Sequence, residues 1–133
     1  MEKQTEINRE NILYFLTLFY SRLRKHEEVG KIFEDVIGTD DQEWQEHIEH
    51  ICEFWCSLIL KSRTFNGSPM QKHIAIKDIK RHHFDQWLGI FEQTAKEVYA
   101  NDCSDIFISR SQQIAKSLSM GIEISRQKNN LEY

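Results

Sequence analysis

Long stretches of helical periodicity with very few interruptions constrain this chain more than any other feature of its sequence. Among 133 residues there is one proline, Pro69, and there are only five glycines. Three of these glycines, Gly30, Gly38 and Gly67, stand where the apolar periodicity breaks. Because proline and glycine are the strongest local breakers of a helix, long periodic segments that lack them are typical of helices. No useful length of sequence alternates as a half-buried strand does, so we predict an all-α fold.

The breaks separate six predicted helices within one domain, which we expect to span residues 1–126. Their approximate bounds, taken from apolar stripes, capping residues and breakers, are 8–26, 29–37, 39–61, a short helix from Pro69, 79–99 and 104–126. Asn8 is the predicted N-cap of the first helix, and residues 39–41 form a predicted capping cluster for the third. The polar segment 127–133 is predicted to be a disordered tail.

Composition argues against several functional classes. Seventeen Lys and Arg against 21 Asp and Glu give a net charge of −4, so the chain lacks the basic footprint of a nucleic-acid-binding protein. It has no apolar run of about 18 residues and no signal-peptide pattern, so we predict no membrane span. The chain has three cysteines, Cys52, Cys56 and Cys103, and an odd number cannot all pair as disulfides within one chain. Without a secretion signal, this indicates free thiols in a reducing compartment. We therefore expect a cytoplasmic protein.

Aromatic residues are numerous for a domain of this size, with 8 Phe, 4 Tyr and 3 Trp. Aromatic side chains bury much apolar surface and can form either a bulky core or the walls of a flat pocket. Composition alone favours the bulky core. A helical protein–protein interaction domain therefore remains an alternative at this point.

Six histidines could carry metal chemistry, because imidazole nitrogen binds zinc, copper, nickel and haem iron. His47 and His50 are three residues apart on one predicted helix, but the repeated Glu-x-x-His spacing of a di-iron site is absent. His73 lies on the short helix among apolar residues such as Met70 and Ile74, a setting that suits an axial haem ligand. From the residues alone, an ordinary core or surface histidine remains open for His73.

Five blocks of sequence follow one another in an order and spacing typical of one known family. They are F-Y-S-R-L-R at 19–24, G-K-I-F at 30–33 with I-G at 37–38, W-Q-E-H at 44–47 with F-W at 54–55, N-G-S-P-M-Q-K-H at 66–73, and F-D-Q-W-L-G-I-F-E-Q-T at 84–94. Together they resemble the group III truncated haemoglobins over about residues 8–124. The chain departs from that pattern at Lys31, where proline is common, and at residues 74–77, where Leu-Pro is usual.

The resemblance implies a shortened globin fold, a two-over-two helical sandwich around one haem b with His73 as the proximal iron ligand. No C-x-x-C-H motif is present, so this haem is expected to be bound non-covalently. The other cofactor-binding residues that the resemblance implies are Phe33, His47, Ile51, His50, Arg63, Met70 and Trp87, with His50 and Arg63 near the haem propionates. The implied distal residues, which face a bound ligand, are Tyr20, His47 and Trp87.

For function, the resemblance implies binding of dioxygen, carbon monoxide, nitric oxide or cyanide. Tyr20 and Trp87 would donate hydrogen bonds to the ligand, while His47 could donate, gate the pocket, bind the iron or point outward. Storage or transport of oxygen is one outcome, and nitric oxide oxidation or peroxide chemistry is another. Turnover would need an external reductase, because the sequence has no flavin or nicotinamide motif, so enzyme status stays open. A haem-based gas sensor that acts through a partner is a further alternative.

Overall fold

All six predicted helices are present in the computed structural model, which describes residues 2–63, 65, 67, 69–76 and 78–131. At residues 70, 71 and 129–131 only the backbone is described. In chain order the helices are α1 (Arg9–Leu23), α2 (Val29–Ile37), α3 (Asp41–Trp55), α4 (Pro69–Ile74), α5 (Arg81–Val98) and α6 (Asn101–Leu131). The all-α prediction is confirmed for the described residues, where the β-type pairing consists of an isolated bridge between Gln4 and Tyr99.

The start of α1 is set by a reciprocal capping box. The side chain of Asn8 accepts a hydrogen bond from the backbone N–H of Asn11 at 2.9 Å, and the side chain of Asn11 accepts one from Asn8 at 3.0 Å. The predicted N-cap is therefore confirmed. The buried face of α1 also includes Phe15, which the predicted stripe omitted and which packs edge-on against Phe91 and Phe107 at 4.9 and 5.1 Å.

The third helix begins and ends close to its predicted positions. Asp40, within the predicted capping cluster, is its N-cap, although no side-chain cap hydrogen bond is made, and Asp41 accepts a hydrogen bond from Arg24 at 3.3 Å. Towards its C-terminus the helix widens into a π-helical segment, Cys56–Leu60, and it ends at Lys61, whose φ is 58°. The chain thus leaves α3 through a left-handed residue rather than through a glycine.

The buried side chains form two clusters. The larger cluster joins α1, α3, α5 and α6, and the smaller one consists of Ile79, Phe84, Ala115, Leu118 and Ile122. Helix α1 packs on α3 and α5, and α5 packs on α6. Phe33 of α2 contacts both clusters. This arrangement leaves room for a cavity where the two clusters face each other.

The last helix is longer than predicted at both ends. Helix α6 begins at Asn101 and continues to Leu131, so it includes residues 127–131, which the sequence assigned to the polar tail. No glycine or proline follows Gly121, and Lys128 in the last turn suits the negative end of the helix dipole. No helix among the described residues combines the length and apolarity that crossing a membrane requires.

Candidate functional site

A cavity of about 750 Å³, which includes the solvent at its mouth, lies between the two clusters. Its walls are mainly apolar and aromatic, as is usual for small-molecule and cofactor pockets. Six of the residues predicted for the haem site line it: Tyr20, Phe33, His47, Ile51, His73 and Trp87. The sequence prediction therefore selected residues that the fold brings together from α1, α2, α3, α4 and α5.

On one side of the cavity, His73 stands in the short helix α4, which begins at Pro69. The Nδ1 atom of His73 lies 2.7 Å from the carbonyl oxygen of Pro69. Because a carbonyl oxygen only accepts, Nδ1 must carry the proton, which leaves the lone pair of Nε2 free. Burial lowers the pKa of His73, although its hydrogen bond to Pro69 acts in the opposite direction. His73 is thus a neutral imidazole with one nitrogen available to a metal.

The ring of His73 is packed between two aromatic side chains. Phe33 of α2 lies with its ring centroid 6.4 Å from that of His73, and Phe84 of α5 lies at 6.3 Å. Both phenylalanines also line the cavity. The imidazole is therefore presented at an apolar wall that can hold a flat hydrophobic ligand.

Three side chains with polar groups, those of Tyr20, His47 and Trp87, also line this mainly apolar cavity. Tyr20 and His47 meet edge to face with ring centroids 5.6 Å apart, and Trp87 lies on the neighbouring helix α5. Tyr20 is buried, whereas His47 and Trp87 are half-buried, and within the described part of the chain no hydrogen-bond partner is found for the Tyr20 hydroxyl, the His47 ring or the Trp87 indole N–H. Polar groups that line a cavity without an internal partner can bond a ligand held there.

The protonation states of two of these groups follow from burial. Burial raises the pKa of the Tyr20 hydroxyl well above its ordinary value, so that it stays a neutral donor. Burial, reinforced by neighbouring basic side chains, lowers the pKa of His47 to about 4. Near pH 7 both side chains are therefore uncharged, and each offers one hydrogen to a ligand.

Trp44 supports this polar group from behind and has a different role from Trp87. Its indole N–H donates to the carbonyl oxygen of Gly38 at 2.8 Å, and the Arg24 guanidinium lies 4.8 Å from its ring centroid. Its ring is 5.9 Å from Tyr20 and 5.7 Å from His47. Trp44 thus fixes the positions of Tyr20 and His47 while its own polar atom is already satisfied.

Several cavity-lining residues were not among the predicted site residues. Most are apolar side chains whose helical spacing is the same for a core and for a cavity wall, so no sequence signal separates the two cases. They are Phe54, Trp55, Pro69, Ile79, His83, Phe84, Ile114, Ala115 and Leu118.

Three predicted cofactor-binding residues are not placed at the cavity. His50 is exposed, with its ring 4.9 Å from that of Phe65, and Arg63 is exposed on the segment after α3. Neither lines the cavity, so their predicted contact with haem propionates stays a prediction. The side chain of Met70 lies outside the described residues.

His83, which also lines the cavity, forms a group with Glu28 and His82 whose possible metal-ligating atoms lie within 4.8 Å of one another. The Nδ1 atom of His83 accepts the backbone N–H of Lys80 at 2.9 Å, so the proton of a neutral His83 is on Nε2, 3.5 Å from Glu28. A metal-bound histidine donates its other ring N–H instead, so this pattern favours a hydrogen-bonded clamp between α2 and α5. Among the described residues no other such group is found.

Comparisons with known proteins give the fold a family. No protein-family model matches the chain. The group 3 truncated hemoglobin ctb of Campylobacter jejuni is 36% identical over 109 residues, which cover 82% of this chain and 86% of that protein. The crystal structure of a group III truncated hemoglobin from Campylobacter jejuni matches with a TM-score of 0.88 at 33% identity, over 91% of this chain and 95% of that one. The predicted shortened globin fold is thereby confirmed, and the chain belongs to the group III truncated haemoglobins.

Proposed function

We propose that this protein binds one haem b non-covalently in the cavity, with His73 as its proximal iron ligand, and that it binds dioxygen and other diatomic molecules. The observation that carries the proposal is the hydrogen bond between His73 Nδ1 and the Pro69 carbonyl oxygen, 2.7 Å long. It fixes the tautomer whose Nε2 can bind a metal, in a side chain that lines an apolar cavity.

The remaining walls of the cavity suit a flat, largely apolar cofactor. Phe33 and Phe84 flank the histidine ring, and Ile51 and Leu118 add apolar surface from α3 and α6. The sequence contains no C-x-x-C-H motif, which supports non-covalent binding.

The polar side chains of the cavity define what the protein adds to ligand binding. When bound, ferrous haem supplies an iron coordination position for dioxygen, carbon monoxide, nitric oxide or cyanide. Tyr20 and Trp87 donate hydrogen bonds towards that ligand, and neutral His47 supplies a third donor or gates its entry. A hydrogen bond to a charged acceptor contributes roughly 1.5–3 kcal/mol. Two such donors slow ligand release by about two to four orders of magnitude.

Slow release favours a role in ligand chemistry over simple transport. The three unpaired donors around the ligand position support oxidation of nitric oxide or activation of peroxide as a second candidate function. Pro69 supplies a neutral carbonyl rather than a carboxylate to His73, and this favours the nitric oxide reaction over peroxide cleavage. Either reaction needs electrons from an external reductase, because the chain carries no flavin or nicotinamide motif.

We further propose a cytoplasmic location and no nucleic-acid partner. Cys52, Cys56 and Cys103 are all free and buried, which fits a reducing compartment. The net charge of −4 does not favour binding to nucleic acid.

The test is an absorption spectrum of the purified protein in ferric, ferrous and carbon-monoxide-bound forms, compared with His73→Gly and a His26→Gln control. We expect a Soret band that shifts with carbon monoxide in the wild type and the control. In His73→Gly the band should be lost or altered, and added imidazole should restore it. A protein that takes up no haemin would instead support the non-haem interaction domain. A spectrum unchanged in His73→Gly would show that another residue binds the iron.

A further inference from the structure

One arginine of α6 reaches the segment that joins α4 to α5. The Nη2 atom of Arg126 lies 2.7 Å from the carbonyl oxygen of Ile79 and 3.4 Å from that of Ile76. Both carbonyls accept, so a single guanidinium nitrogen donates to two points of the segment 75–80, of which residues 75, 76 and 78–80 are described. The segment that follows His73 is thereby attached to a long helix from another part of the chain.

The sequence of this segment gives it little rigidity of its own. Residues 75–80 include neither proline nor glycine, so neither a fixed φ nor a glycine turn sets its path. Helix α4 has six residues, fewer than a helix needs to be stable without tertiary contacts. After α4, a local hydrogen bond of 3.0 Å joins Ile76 N–H to the carbonyl oxygen of His73. The position of His73 therefore depends on contacts made elsewhere.

Besides the packing of α4 on α6 and of Phe33 and Phe84 on His73, Arg126 provides such contacts at two places. Ile76 follows His73 by one turn, and Ile79 is a buried residue of the cavity wall that comes just before α5. Ile79 belongs to the smaller apolar cluster and the side chain of Ile76 packs against it, so apolar contacts accompany both hydrogen bonds. A positive side chain just beyond the end of α4 also suits the negative end of that helix.

We propose that Arg126 is a positioning residue for His73: it fixes Ile76 and Ile79 and so sets where α4 presents the imidazole to the cavity. The consequence for haem rests on the proposed function, whereas the ordering of the segment does not. The hydrogen bonds of Arg126 stabilise only the conformation in which this segment is held in place. Their loss should therefore speed haem loss by about ten- to hundredfold.

The test compares Arg126→Gln and Arg126→Lys with Arg110→Gln, which removes the same charge from an exposed position of α6. Three quantities are measured: amide hydrogen exchange of the apoprotein, haem transfer to excess apomyoglobin, and the iron–histidine stretching frequency of the ferrous protein. We expect Arg126→Gln to accelerate exchange in residues 75–80, to speed haem transfer and to shift the stretching frequency. Arg126→Lys should recover part of each effect, and Arg110→Gln should resemble the wild type.

Two results would overturn the proposal. In the first, Arg126→Gln matches Arg110→Gln in exchange of residues 75–80. In the second, exchange rises throughout the chain and the stretching frequency is unchanged, which would mean a general structural role. If the wild type binds no haem through His73, the proposed function fails, yet exchange in the apoprotein still decides whether Arg126 orders the segment.

Discussion

The Nδ1 atom of His73 and the carbonyl oxygen of Pro69 are 2.7 Å apart, four residues from each other along α4. This bond sets both the tautomer and the orientation of the imidazole. The position of Nε2 therefore depends on the first turn of α4. Pro69 contributes its carbonyl to His73 and its fixed φ to the start of the helix.

Replacing Pro69 should therefore loosen α4 without removing the acceptor of His73. Pro69→Ala keeps the carbonyl oxygen but gives the unfolded chain more freedom, and we expect a loss of roughly 0.4–1 kcal/mol in the free energy of unfolding. Guanidinium denaturation of the apoprotein measures this loss. The slope of the free energy of unfolding against denaturant concentration should not change. A variant as stable as the wild type would mean that the rigidity of Pro69 does not contribute to α4.

Substitutions at Tyr20 and Trp87, the proposed distal donors, should change ligand release. Tyr20→Phe removes only a donor from the cavity, and Trp87→Phe removes the indole N–H together with part of the ring, so each should speed dioxygen release by about ten- to hundredfold. Carbon monoxide accepts a weaker hydrogen bond, and its release should change less. Stopped-flow displacement of the bound ligand measures both rates.

Tyr99→Phe is the matched control for these two variants. The Tyr99 hydroxyl donates to Asn11 at 2.8 Å in the larger cluster, away from the cavity walls. Its loss should lower the free energy of unfolding by about 1 kcal/mol and leave ligand release unchanged. If Tyr20→Phe and Tyr99→Phe had the same effect on release, the assignment of Tyr20 as a distal donor would be wrong.

The sequence was informative where local chemistry decides the structure. Asn8 could be predicted as a cap because an Asn side chain bonds the nearby backbone in any such helix start. The short helix at Pro69 could be predicted because proline at the first helical position needs no N–H. The family blocks then directed attention to Tyr20, His47 and Trp87, which composition alone would have left in the core.

Other features depend on contacts between distant parts of the chain and carry no local signal. The π-helical segment after α3 follows no breaker in the sequence, and the hydrogen bond from Arg24 to Asp41 joins residues 17 positions apart. Leu118 has the same helical spacing as any core residue, so its place in the cavity wall was not predictable. Nor could the sequence predict that Arg126 bonds Ile76 and Ile79, which lie 50 and 47 positions earlier in the chain.

Burial of His47 should make the stability of the apoprotein depend on pH. Its pKa is about 4 in the folded chain and 6.5 in the unfolded chain. Between these values the unfolded state binds the extra proton, so stability rises with pH and is lost as pH falls from 6.5 towards 4. The full change is at most about 3 kcal/mol. Denaturation from pH 4 to 8 should show this slope in the wild type and a smaller one in His47→Gln, and parallel curves would contradict the prediction.

Gly30 and Gly89 are both helical glycines, but their surroundings predict opposite responses to alanine. A Cβ on Gly30 would collide with the carbonyl oxygen of Leu23 and lie 2.8 Å from that of Arg24, where α2 crosses the end of α1. Backbone atoms cannot easily move aside, so Gly30→Ala should cost about 1–3 kcal/mol. A Cβ on Gly89 meets nothing within 4 Å, and Gly89→Ala should stabilise α5 by roughly 0.5–1 kcal/mol. Thermal unfolding of the two apoproteins tests the pair, and a change of the same sign in both would contradict the close approach of α1 and α2.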